Sequence, residues 1–149
     1  MRYQNLKTSP EISERMKALS HKKSKVEDIF AKELWHRGYR YRRNYSKLPG
    51  SPDIVLTKYC IAIFVDGEFW HGKNFDVSKK YIHNNKEYWI KKIEKNIERD
   101  HKNDALLRGM GWIPLHYWSK DILNCLNCCI EDVESYIEIQ KEGKESNFI

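Results

Sequence analysis

Three residues have the types and spacing to do chemistry together. Asp53 follows the turn-forming run Leu48-Pro49-Gly50-Ser51-Pro52 and opens the apolar stretch Ile54-Val55-Leu56. A second apolar run, Ile61-Ala62-Ile63-Phe64-Val65, ends in Asp66-Gly67-Glu68-Phe69-Trp70-His71-Gly72. Two adjacent strands would bring Asp53 close to the segment from Asp66 to His71. Carboxylate oxygens hold Mg²⁺ and a histidine can take a proton from water, so the set suits hydrolysis of a phosphodiester. An aspartate after proline is also a common turn or cap residue; the downstream segment is what gives Asp53 its chemical reading.

The elements that must position these residues can be read from periodicity. Ser24 is an N-cap, and Glu27 three residues on completes a capping box. Val26, Ile29, Phe30, Leu34 and Trp35 follow helical spacing, with Gly38 as the stop. Tyr39 to Tyr45 alternates aromatic and basic residues, the period of a strand with one charged face. Asp53 to Leu56 and Cys60 to Val65 are expected to pair as a hairpin through Thr57-Lys58-Tyr59. Residues 72–85 are polar and loop-like. A long helix is expected from Lys86 to about Arg108, with Ile90, Ile93, Ile97, Leu106 and Leu107 as its buried stripe and Gly109 and Gly111 at its end. Trp112 to Tyr117 reads as a strand, in which Pro114 calls for a bulge or an edge position. A last helix spans about Lys120 to Gln140.

Composition bounds the class. The 149 residues suit one domain, with a basic arm over 1–23 and a frayed tail over 142–149. At 40% hydrophobic and 32% charged the chain is ordinary globular protein. No run approaches a membrane span and the N-terminus lacks a signal-peptide core, which places the expectation in the cytoplasm. The net charge of +6 favours a polyanionic partner. Arg15, Lys17, His21, Lys22, Lys23 and Lys25 crowd the arm, and Arg37, Arg40, Arg42, Arg43 and Lys47 follow, with Tyr39, Tyr41 and Tyr45 interleaved; such a density could neutralise several phosphates. Cys125 and Cys128 have redox or zinc-like spacing, but no second pair completes four ligands, so packing is the better reading of the cysteines.

The order helix, three strands, long helix, strand, helix describes an α/β fold with a mixed central sheet flanked by helices. Its motifs resemble those of the very short patch repair (Vsr-type) endonucleases, within the restriction-endonuclease-like superfamily. The resemblance is carried by Arg15-Met16, Lys25-Val26-Glu27, His36-Arg37-Gly38-Tyr39-Arg40-Tyr41-Arg42, Leu48 to Val55, Phe64 to Gly72, and Glu87-Tyr88-Trp89-Ile90-Lys91-Lys92-Ile93 with Asn96, Glu98, Arg99 and Asp100. Gly111-Trp112 and Trp118 continue it.

The resemblance implies a DNA endonuclease using one or two Mg²⁺ ions. Asp53 would be the bridging metal ligand, the Val65 main-chain carbonyl would complete the site, and His71 would activate water. Glu27 would support a metal-bound water. Phe69, Trp70 and Trp89 would wedge into double-stranded DNA beside a T:G mismatch, where unstacking is cheapest. Arg15, Met16, Lys22, Lys23 and Lys25 would bind DNA from the arm and first helix. Two departures stand out. Asp66 stands where the family usually has a histidine or another polar residue, and it could ligate the metal directly or orient its water. The positions that usually hold a structural zinc are Glu68, Lys73, Phe75 and Ser119, which are not normal zinc ligands, so zinc is expected to be absent.

The implied activity is strand-specific nicking beside T:G mismatches left by deamination of 5-methylcytosine. That implies a functional link to a cytosine-5 methyltransferase and to mismatch-repair proteins, and a monomer working at the nucleoid of a bacterial cytoplasm. Two alternatives stay open: a restriction-type enzyme cutting a short paired site, and a DNA-binding module whose catalysis has decayed.

Overall fold

The computed structural model describes residues 25–67 and 86–146, with side chains to 143. Helix α1 runs over 25–36 and buries Val26, Phe30, Ala31 and Leu34. Gly38 ends it at φ +93°: its N–H donates to Trp35 O at 2.9 Å and the Tyr39 N–H donates to Leu34 O at 3.0 Å, the two bonds of a Schellman motif. Ile29 and Trp35, expected on the buried stripe, face solvent; Trp35 is 51% exposed, with the Arg40 guanidinium 3.6 Å over its ring. Ser24, the expected cap, lies outside the described residues.

Four strands follow in the order β1-β2-β3-β4. They are β1 (Arg42–Arg43), β2 (Ile54–Leu56), β3 (Ile61–Asp66) and β4 (Ile113–Trp118). The strand expected over 39–45 is cut to two residues because Asn44 turns left-handed at φ 49°. β2 and β3 form the expected antiparallel hairpin, through a 3-10 turn at Thr57–Tyr59, and Cys60 sits in the left-handed region that closes it. Between β1 and β2, Gly50 adopts φ +79°, and a Cβ there would lie 3.2 Å from the Phe64 ring and 3.1 Å from Asn103 Nδ2. A glycine lets that loop pass tightly over the sheet.

Helix α2 (Lys86–Gly109) crosses over from β3 to β4, which pairs parallel with β3. Such a pair needs a long connection. Ile93 and Leu107 are fully buried on α2, while Leu106, expected in the stripe, is 49% exposed. Pro114 is accommodated because β4 is an edge strand among the described residues. The expected last helix is two, α3 (Ser119–Asn124) and α4 (Leu126–Ser146), broken at Cys125 by non-helical backbone at φ −150°, ψ 83°. Cys125 and Cys128 are joined in a disulfide where free packing thiols were expected; Cys129 is buried and free.

Side-chain alternation divides the sheet into two apolar faces. Ile54, Leu56, Ile61, Ile63, Val65 and Leu115 pack with α1, α3 and α4. Val55, Ala62 and Phe64 pack with Leu48 and with Leu107 of α2. The result is an α/β/α sandwich whose mixed sheet is covered by helices on both faces. No helix among the described residues is long and apolar enough to cross a membrane.

Candidate active site

The site begins where the β2–β3 ladder runs out. Its last paired residues are Ile54 and Ile63. One residue before β2, the Asp53 carboxylate continues the ladder by accepting the Val65 N–H at 2.7 Å. The Asp53 backbone carbonyl is held from the other side by the Asn44 N–H at 2.9 Å. The carboxylate is therefore fixed in place by two neighbouring segments. A strand residue sends its N–H and C=O to the same side, so the Val65 carbonyl also leaves the strand toward Asp53. The next carbonyl, that of Asp66, points the opposite way, where it accepts the Ser119 hydroxyl at 3.2 Å.

Asp66 is 5% exposed and occupies the same sheet face as Ala62 and Phe64. The parallel register sets Phe64 beside His116, and their rings stack at 4.6 Å and 9°. His116 Nδ1 lies 2.6 Å from Asp66 Oδ2, and its Nε2 lies 2.7 Å and 2.8 Å from the two oxygens of Asp104 on α2. Burial disfavours a charged imidazole, but the hydrogen bond and charge of Asp66, followed by those of Asp104, outweigh it and raise the His116 pKa to about 9. The two carboxyl partners thus favour the protonated imidazole.

A stability consequence follows from that shift. The unfolded chain releases the His116 proton near its ordinary value of 6.5, whereas the folded chain keeps it to about 9. The contribution is therefore fully present below pH 6.5 and lost as pH rises through 9. In chelator, urea unfolding should show stability falling between those limits by up to about 3 kcal/mol. The slope should vanish in His116→Gln; an unchanged slope in that variant would assign it to other groups.

Glu27 on α1 is 8% exposed, and its Oε2 lies 3.8 Å from Arg43 Nη2. Arg43 also donates to Asp28 Oδ1 at 2.9 Å and is paired in the sheet with Ile54, the residue after Asp53. Glu27 thus reaches the Asp53 end of the sheet through β1. Lys25 is exposed on α1. Trp89 is half-buried on α2, edge-on to Tyr88 at 4.9 Å and with Lys92 over its ring at 5.8 Å. Arg37, counted above among the phosphate-binding cations, is instead tied to Glu33 at 2.9 Å and to Glu134 of α4. Arg15, Met16, Lys22, Lys23, Glu68, Phe69, Trp70, His71, Lys73 and Phe75 lie outside the described residues.

His116 and Asp104 were not anticipated from sequence. His116 lies in an ordinary alternating strand and Asp104 on a polar helix face, and only the register and the crossover bring both to Asp66.

The donors at this edge are the Asp53 and Asp66 carboxylates and the Val65 carbonyl. Among the described residues no group of three or more His, Cys, Asp or Glu side chains is arranged to hold a metal ion. Hard oxygens in that number fit Mg²⁺, which takes one or two carboxylates and keeps several waters.

A mixed sheet covered on both faces, with an aspartate at the end of a hairpin touching the backbone of the next strand, defines a restriction-endonuclease-like nuclease core. The family profile of the DNA mismatch endonuclease Vsr matches residues 6–77. The Type II nicking enzyme V.NmeDIP of Neisseria meningitidis serogroup C is 42% identical over 128 residues, 86% of this chain and 86% of its own. V.HpaIIP of Haemophilus parainfluenzae, also a Type II nicking enzyme, is 47% identical over 119 residues, 78% of this chain and 84% of its own. The DNA mismatch endonuclease Vsr of Escherichia coli strain K12 is 34% identical over 106 residues, 71% of this chain and 67% of its own. The chain belongs to the Vsr family and is a DNA endonuclease.

Proposed function

We propose that this endonuclease nicks one strand of duplex DNA beside a T:G mismatch, using Mg²⁺ at the edge formed by Asp53, Val65 and Asp66. The observation that carries the reading is the Asp53 carboxylate held 2.7 Å from the Val65 amide, which fixes a hard oxygen ligand beside a second backbone donor. Bound Mg²⁺ would neutralise charge on the scissile phosphate and polarise water. Asp53 and the Val65 carbonyl would hold the ion, Asp66 would orient its water, and Glu27 would support that water from α1. His71 is assigned the role of base, and Phe69, Trp70 and Trp89 that of a wedge opening the mispair. Arg15, Met16, Lys22, Lys23 and Lys25 would neutralise phosphates along the duplex.

Mismatch specificity is supported by the family description and the name of the Escherichia coli relative. The name "Type II nicking enzyme" of other relatives favours single-strand cleavage and keeps a paired recognition site as the second reading. A library of duplexes with a central T:G mismatch or its paired control, with Mg²⁺ or chelator, separates the two. Metal-dependent nicking of the mismatched duplexes alone is expected. Equal nicking of paired DNA at discrete sites would move the enzyme to the second reading, and mismatch binding without nicking would make it a binding module.

A further inference from the structure

Asp66, His116 and Asp104 form a tightly built polar chain of which the nuclease reading uses Asp66 alone. It joins the end of β3, the middle of β4 and the C-terminal half of α2. His116 has both ring nitrogens committed, one to each carboxylate, and its ring plane is fixed by stacking on Phe64. Such an imidazole cannot rotate without breaking two short hydrogen bonds. Asp66 is held by its side chain through His116 and by its backbone through Ser119. It directly follows Val65, whose amide binds Asp53. Any tilt of Asp66 would therefore shift the backbone that meets Asp53.

We propose that His116 is a positioning residue for the nuclease centre, with Asp104 as its anchor on α2: together they set the orientation of the Asp66 carboxylate beside Asp53 and Val65, and so the affinity of that edge for a divalent cation. The proposal rests on the reading of this edge as the metal-binding centre. The two ring nitrogens have different tasks. Nδ1 acts on Asp66 directly, while Nε2 acts only through the ring by holding it to α2.

The nitrogen roles give a test that a merely structural histidine would fail. An asparagine amide can stand in for Nδ1, and a glutamine amide for Nε2. His116→Asn, His116→Gln, His116→Leu and Asp104→Asn would be prepared in the full chain and checked for folding by circular dichroism. Two measurements follow: Mn²⁺ binding by the protein alone, read by electron paramagnetic resonance, and the Mg²⁺ concentration giving half-maximal nicking. His116→Leu should weaken Mn²⁺ binding and raise the Mg²⁺ requirement at least about tenfold, a change of about 1.4 kcal/mol. Asparagine should recover most of that loss, glutamine little, and Asp104→Asn should show a smaller shift in the same direction.

Equal metal binding across the four variants, or recovery by glutamine in place of asparagine, would overturn the proposal. If His116→Leu does not fold, the asparagine and glutamine pair still decides. Wild-type protein that neither binds Mn²⁺ nor nicks with Mg²⁺ would overturn the site reading itself and this proposal with it. Wild-type metal binding lost in Asp53→Asn but untouched by changes at His116 would overturn this proposal alone.

Discussion

Asp53→Asn is expected to lower single-turnover nicking of a T:G duplex by at least about 10³-fold, equivalent to about 4 kcal/mol of transition-state stabilisation. The substitution is chosen for what it preserves. The asparagine carbonyl oxygen can accept the Val65 N–H as Asp53 Oδ2 does at 2.7 Å, so the extension of the β2–β3 ladder remains. What disappears is the negative charge that would hold a cation against the scissile phosphate. Thermal unfolding in chelator should therefore change little, while metal-dependent nicking is lost. Asp53→Ala differs, because it also strands the Val65 N–H and should cost about 1–3 kcal/mol of stability besides. An Asp53→Asn enzyme that nicked at the wild-type rate in Mg²⁺ would remove Asp53 from the chemistry and leave it a ladder extension only.

The largest stability effect is expected at Phe30. Its side chain is fully buried between α1 and the sheet, with the Tyr117 ring 5.5 Å away at 33°. Truncation removes the apolar contacts of a whole ring and leaves a cavity that the sheet cannot close. Phe30→Ala should cost about 3–5 kcal/mol in urea unfolding, a large part of the roughly 5–15 kcal/mol that holds such a domain together. Trp35→Ala, five residues on and on another face of α1, provides the contrast. That ring is half exposed and rests on Arg40, so its loss should cost under about 1 kcal/mol. Comparable losses at the two positions would contradict the helix orientation that turns Glu27 toward Arg43 and the Asp53 end of the sheet.

These two residues also show where reading a chain succeeds and where it stops. Helical spacing marked Val26, Ile29, Phe30, Leu34 and Trp35 alike as apolar. The structure buries Val26, Phe30 and Leu34 and leaves Ile29 and Trp35 to solvent. Leu106 and Leu107 repeat the lesson on α2, one exposed and the other enclosed. Periodicity names the apolar stripe, but its width depends on the neighbouring surface. Arg37 shows the same limit for charge: its place in a basic run suggested phosphate, and its partners are Glu33 and Glu134.

The closeness of Asp53 to the end of β3 was legible because a short connection, here Thr57–Tyr59 and Cys60, makes β2 and β3 a hairpin, whereas the bond from the Val65 N–H to the Asp53 carboxylate was not. Motif order alone also placed the chain in its family, and alternating apolar runs with one long helix between them determined the α/β class. The joining of Asp66 to His116 and Asp104 was not legible. β3 and β4 are parallel strands separated by a long crossover, and nothing local specifies that Phe64 lies beside His116 or that Asp104 turns inward. The sequence by itself determined the α/β class, the family and the hairpin that sets Asp53 beside the end of β3. Only the tertiary structure decided what surrounds Asp66, because parallel register and helix rotation are set by packing across the whole sandwich.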